Sequence, residues 1–148
     1  ELLETLLSAG APSKDVRGVA LAAASNAGNA VIARMMLNSG ANVDAVDKEG
    51  RTALQAWARR GEASLASELL SLRASVNIQD KAGVTPLLAA IRAGSLPLVE
   101  QLCAHGADTS LQNKDGRTAL VMASELPDKL FARDLCGALL EAKAQVDA

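Results

Sequence analysis

The sequence predicts an all-α solenoid of stacked helix-turn-helix units joined by short β-hairpin-like turns, and three observations carry that expectation. Gly50-Arg51-Thr52-Ala53-Leu54 returns as Gly83-Val84-Thr85-Pro86-Leu87 and again as Gly116-Arg117-Thr118-Ala119-Leu120, with 33 residues between copies. A second landmark keeps register with the first. Gly40-Ala41-Asn42-Val43-Asp44 matches Arg73-Ala74-Ser75-Val76-Asn77, Gly106-Ala107-Asp108-Thr109-Ser110 and, near the end, Lys143-Ala144-Gln145-Val146-Asp147. Finally, 49% of residues are hydrophobic but only 1% aromatic, with one Trp, one Phe and no Tyr. A core of Ala, Leu and Val suits closely stacked helices, whereas a conventional globular core draws much of its buried area from rings. Fixed periods of this length are the signature of quasi-one-dimensional repeat architectures.

The elements follow in order. Leu2, Leu3, Leu6 and Leu7 share one helical face and are expected to form the second helix of a partial unit, residues 1–13. Full units are expected at about 14–47, 48–80, 81–113 and 114–148, so that 1–148 is a single domain. The first helix of each pair is expected at Ala53–Arg60, Pro86–Ala93 and Ala119–Glu125. Each follows a Thr able to cap free N–H groups, and Pro86 lies where a first-turn Pro is tolerated. In the earliest copy Leu21 corresponds to Leu54, and Val19 stands where Thr is later found. Gly28, Gly61 and Gly94 mark the ends of first helices. Second helices are expected at Ala30–Ser39, Ala63–Leu72 and Leu96–His105, closed by Gly40, Arg73 and Gly106; Arg73 is costly if its φ is positive. Between units, Asp47-Lys48-Glu49-Gly50, Asp80-Lys81-Ala82-Gly83 and Asn113-Lys114-Asp115-Gly116 have turn chemistry. The first turn is three residues shorter than the others and is expected to lack a full hairpin. Leu69-Leu70 maps to Leu139-Leu140 at a spacing of 70, so the last copy is four residues longer, through an extra helical turn or a longer loop at 126–129.

A helix pair and a turn every 33 residues resembles the ankyrin repeat, most closely at Gly83-Val84-Thr85-Pro86-Leu87-Leu88-Ala89-Ala90. The family usually carries a His after the Leu of its Thr-Pro-Leu-His signature, bonding between units. Here that place holds Ala22, Gln55, Leu88 and Val121, which predicts a thinner polar network and less rigidity. Neither end of the sequence reads as a polar cap, so the chain is expected to be a fragment of a longer protein.

The residues argue against catalysis, and the protein is expected not to be an enzyme. His105 is the only histidine and has no nucleophile in register. No Cys/His metal spacing or Gly-rich phosphate loop appears, so no metal, cofactor or small-molecule substrate is expected. Cys103 and Cys136 are expected to be free thiols, because stacked helices sit about 8–10 Å apart and a disulfide needs Cα atoms within about 7 Å. Unpaired thiols point to an intracellular, cytoplasmic setting. Asp47 and Asp80 are better explained as turn residues than as an acid–base pair. No apolar run approaches the ~18 residues of a membrane span. A net charge of −2, with no aromatic residues interleaved among the basic ones, argues against nucleic acid.

The resemblance implies that a protein or peptide partner docks on a concave face made by the turn tips and the exposed side of the first helices. The basic residues mapped there are Lys48, Arg51, Arg59, Arg60, Lys81, Arg92, Lys114 and Arg117, against Glu49, Asp115 and Glu125. Eight positive and three negative residues make this face +5 in a chain of −2, and adding Asp47 and Asp80 leaves it +3. Such a face favours an acidic partner. Val84 lies at the second tip. Trp57 stands where the family has a small residue, and is a candidate interface anchor or a packing residue. The function expected is therefore a scaffold module binding a partner on this basic face. The alternative is a regulatory segment of a larger enzyme, channel or adaptor that packs against its own parent protein.

Overall fold

The computed structural model describes residues 14–147, and the side chains of residues 14–144. The expected partial unit at 1–13, with Leu2, Leu3, Leu6 and Leu7, lies outside the described residues. Eight helices are present among them: α1 (Lys14–Ala27), α2 (Ala30–Asn38), α3 (Ala53–Arg60), α4 (Ala63–Ser71), α5 (Pro86–Ala93), α6 (Leu96–Ala104), α7 (Ala119–Ser124) and α8 (Lys129–Asp147). They pair as α1/α2, α3/α4, α5/α6 and α7/α8. The first helices α1, α3, α5 and α7 pack in one row, and α4, α6 and α8 pack in a second. This is the all-α solenoid expected.

Local chemistry starts and stops these helices. Thr52, Thr85 and Thr118 hold extended backbone, and their hydroxyls accept from the N–H of Gln55, Leu88 and Val121. Asp128 does the same for α8, accepting from Leu130 and Phe131. Gly61 and Gly94 end α3 and α5 in the left-handed region. Arg73 replaces a glycine after α4 and still takes φ 62°, the one non-glycine with positive φ among the described residues. The turn is held by the Ala74 N–H bond to the Leu69 carbonyl (3.0 Å) and the Ser75 N–H bond to Asp44 of the preceding unit (2.8 Å), without a glycine. Gly18 is needed for a different reason. A Cβ there would overlap Ala45 Cβ and come within 2.9 Å of the Asn42 carbonyl oxygen, so only glycine lets α1 press onto the loop after α2.

The turns repeat one hydrogen-bond pattern. The Asp47 carboxylate accepts from the N–H of Glu49 (2.8 Å) and Arg51 (3.0 Å). Asp80 accepts from Ala82 and Val84, both at 2.9 Å, and Asn113 from Asp115 and Arg117, both at 3.0 Å. Each side chain thereby closes its own hairpin-like tip. Residues 14–19, which correspond to the turn 47–52, are helical instead, so the first unit has no such hairpin. The four additional residues of the last copy are absorbed by helix. Leu135 is buried at the place of Leu102, in register at 33, and α8 simply continues for Leu139 and beyond. The landmark read at Lys143–Asp147 therefore belongs to a helix and not to a turn.

The core is a ladder of repeated positions. Leu21, Leu54 and Leu87 are each at most 1% exposed, and Leu69 and Leu102 do the same for the second helices. Ser25 interrupts the ladder. It is fully buried, its hydroxyl has no hydrogen-bond partner, and Ala58 holds the equivalent place one unit on. Removing an unpaired buried hydroxyl relieves a desolvation cost, so Ser25→Ala is expected to stabilise by about 1 kcal/mol. A higher urea midpoint at constant slope is the expected measurement.

Candidate functional site

Successive turn tips are stitched by main-chain bonds. The Lys81 N–H donates to the Glu49 carbonyl at 2.9 Å, and the Lys114 N–H to the Ala82 carbonyl at 3.0 Å. Gln79 Nε2 donates to Gly83 O and Gln112 O, crossing from one tip to the next. This contact is close. A Cβ on Gly83 would sit 3.0 Å from the Lys114 nitrogen, in a residue whose φ is already 74°. The side chains of Lys48, Lys81 and Lys114 are thus carried in a row at fixed spacing. A second row, Arg59 and Arg92, comes from the last turns of α3 and α5.

The two rows meet in part, at Arg59, Lys81 and Lys114. Arg59, Lys81 and Lys114 line one hollow of about 380 Å³ with Glu49, Arg51, Asp80 and Ala82. A neighbouring hollow of about 210 Å³ is lined by Ile91, Arg92, Arg117, Met122, Glu125 and Leu126. Sequence mapping missed Met122, because its place on α7 matches Ala89, which is buried.

Four of the ten expected partner-binding residues have other occupations. Trp57 is 3% exposed and sits within the core cluster with Leu54, Ala58, Leu65 and Leu69. It is a core residue and not an exposed anchor. Ala24 and Ala90 hold its place in the adjacent units, and this large–small alternation lets stacked faces interdigitate. Val84 is half-buried against the same core. Arg60 lays its guanidinium over Gly28 and donates to the Asn26 carbonyl at 3.2 Å, placing a cation at the C-terminal end of α1. Arg51 is tied to Asp47, Nη2 to Oδ2 at 2.9 Å, with both side chains largely covered. Burial pushes the Asp47 carboxyl up, but the N–H groups of Arg51 and Glu49 and the Arg51 guanidinium outweigh it and hold the group below its ordinary value.

Arg117 is exposed but paired with Glu125 at 2.8 Å, a contact between a tip and a helix end that sequence spacing did not suggest. Lys48, Lys81, Lys114, Arg59 and Arg92 are exposed and form no ion pair with a described acid. Asp80, whose Oδ1 accepts from its own turn, and Glu49 share their hollow. Glu49, Asp80 and Asp115 on the same face also lack an ion pair, so five unpaired cations stand against three carboxylates and the face remains net basic after internal pairing is counted.

The remaining reactive groups have plain structural settings. His105 Nδ1 lies 2.8 Å from the Gln101 carbonyl at the end of α6. Cys103 and Cys136 are free, and burial pushes the Cys103 thiol up, away from nucleophilic thiolate. Among the described residues no cluster of His, Cys, Asp and Glu is placed to hold a metal ion, and no helix is long and apolar enough to cross a membrane.

Gln55 changes one expectation about rigidity. It is buried, completes a capping box with Thr52, and donates from Nε2 to Ile78 O (2.9 Å) at the end of its own unit and to Val84 O (2.6 Å) of the next. An amide here makes the bond between units that the resemblance assigned to His. The Thr-x-x-Gln spacing was the signal that could have revealed the box. Gln55→Leu, which installs the residue that Leu88 supplies one unit on, is expected to cost about 1–3 kcal/mol by leaving buried carbonyl capacity unmet, as read from urea denaturation.

No curated protein matches the chain. A family model of ankyrin repeats, in three copies, matches residues 1–80 and again 55–148. Together with the paired helices, the Thr-capped starts and the stitched tips, that match places the chain in the ankyrin-repeat family.

Proposed function

We propose that this chain is a protein-interaction module whose partner docks, through acidic groups, on the face formed by the turn tips and the exposed ends of α3 and α5. Ankyrin repeats are in general protein–protein interaction modules and are typically not enzymes. The observation that carries the finer reading is the set of five unpaired cations, Lys48, Lys81, Lys114, Arg59 and Arg92, on one face of a chain whose net charge is −2. Cations with internal partners add little to a surface potential; these five retain theirs and steer an acidic partner.

Arg59 and Arg60 look equivalent in sequence as a target for charge reversal. Arg60, however, clasps α1, and a Glu there would set a negative charge at a helix C-terminus. Arg59→Glu with Arg92→Glu is therefore the sharper test. The double variant is expected to keep its melting temperature within about 2 °C, since neither side chain has a described partner and surface changes of this kind are small. It is expected to retain at least tenfold less of any partner captured from cell extract by the native chain. Retention of that partner at native strength by the folded double variant excludes this face as the docking surface.

A further inference from the structure

The basic face is not uniform along the stack. The place held by Ala23, Ala56 and Ala89 in the first three units is taken by Met122 in the last, and that of Ala27, Arg60 and Ala93 by Leu126. Met122 and Leu126 are four residues apart, so their side chains are neighbours at the end of α7. The Leu126 N–H is held by the Ala123 carbonyl at 3.3 Å. Both side chains are half-buried, packed against the core yet open to solvent. With Ile91, which is buried and forms the floor, they give the hollow of about 210 Å³ beside Arg92 an apolar lining.

The charged rim of this hollow favours one sign. Glu125 is its only acid, and Arg117 pairs with it at 2.8 Å, so the two largely cancel. Arg92 has no ion pair with a described acid and is left to meet a charge from outside. The larger hollow differs. Its one apolar residue is Ala82, and Glu49 and Asp80 stand among its cations, so it offers charge without a place for an apolar group. Size narrows the occupant further. Pockets for drug-sized molecules hold roughly 300–1,000 Å³, and about 210 Å³ suits a single side chain instead. A methionine wall adapts to the shape of an apolar guest, and large side chains seated in such hollows dominate the energetics of interfaces.

We propose that this hollow is the anchor point of the docking surface: it takes one large apolar side chain of the partner, while a carboxylate close by in the partner's sequence pairs with Arg92. Arginine and carboxylate form the strong, charge-assisted kind of hydrogen bond. The recognised segment is thus an apolar residue flanked by Asp or Glu, and not an acidic tract alone. This rests on the basic face being the docking surface.

The test selects random 12-residue peptides displayed on phage against the immobilised 148-residue chain, then measures the enriched peptides by fluorescence anisotropy. They are expected to carry Leu, Ile, Met or Phe within three residues of Asp or Glu. Changing that apolar residue to Ser is expected to weaken binding at least tenfold. Met122→Ala with Leu126→Ala, which installs what Ala89 and Ala93 supply one unit earlier, is expected to do the same with an unchanged circular dichroism spectrum. The two changes together are expected to cost no more than either alone, as for groups in direct contact. Arg92→Glu is expected to weaken binding at least tenfold. In the native chain with isotope-labelled methionine methyls, the peptide is expected to shift the resonance of Met122 and not those of Met35 and Met36 in α2. Acidic peptides that need no apolar residue and ignore the alanine pair overturn the anchor and leave a basic docking face standing. Apolar peptides that bind without an acid overturn the contact with Arg92. Enrichment of basic peptides, or of none, overturns the anchor. Peptides indifferent to the alanine pair and to Arg59→Glu with Arg92→Glu overturn the face as well.

Discussion

Trp57→Ala is expected to destabilise the chain by about 3–5 kcal/mol, more than any other single substitution proposed for it. The indole is 3% exposed and shares a buried cluster with Leu54, Ala58, Leu65 and Leu69, between α3 and α4. Truncation removes the largest side chain from a core built mostly of Ala and Leu. Ala24 and Ala90, at the same place in the units on either side, are too small to fill the space. Trp57 is also the only tryptophan, so its emission reports its own environment. Blue-shifted native fluorescence that moves red on urea unfolding is expected for the native chain. A variant that loses less than about 1 kcal/mol while losing its partner would return Trp57 to the surface and overturn the core assignment.

Leu87→Ala is expected to cost about 2–5 kcal/mol, because Leu87 is 1% exposed at the middle of the stack and its removal leaves a cavity lined from three units. Leu120 is its counterpart one unit later and is 41% exposed. Leu120→Ala is expected to cost less than about 1 kcal/mol, in keeping with the smaller effects of exposed positions. Measuring both by urea denaturation separates burial from residue type, since the two residues occupy the same place in the repeat. Equal costs would show that α7 does not end the described stack as observed. A solenoid is stabilised by nearest-neighbour contacts, so a loss in the middle unit is also expected to lower the steepness of the transition.

Much of the fold was legible because its signals are local. Thr52, Thr85 and Thr118 cap helices within three residues of themselves, and Asp47, Asp80 and Asn113 close turns within four. The positive φ of Arg73 also followed from its place in the repeat. The site was less legible. Lysines and arginines at equivalent places read alike, yet Arg51 is held by Asp47, Arg60 is spread over Gly28, and Arg59 is unpaired. The Gln55 bridge was also hidden, since its acceptors lie 23 and 29 residues away, the second of them in the next unit.

The 33-residue period, the caps and the turn sites are properties of short segments, and the chain's own residues were sufficient to assign them. Burial is a property of neighbours. Leu87 and Leu120 share one residue type and one repeat position, but α7 packs over the first and no described helix follows the second. The same holds for charge: Arg60 is occupied by the end of α1 in the preceding unit and Arg117 by Glu125 at the end of α7, contacts that no period reveals. Stacking settled which repeated residues became core, which became clasps between units, and which five cations were left facing outward.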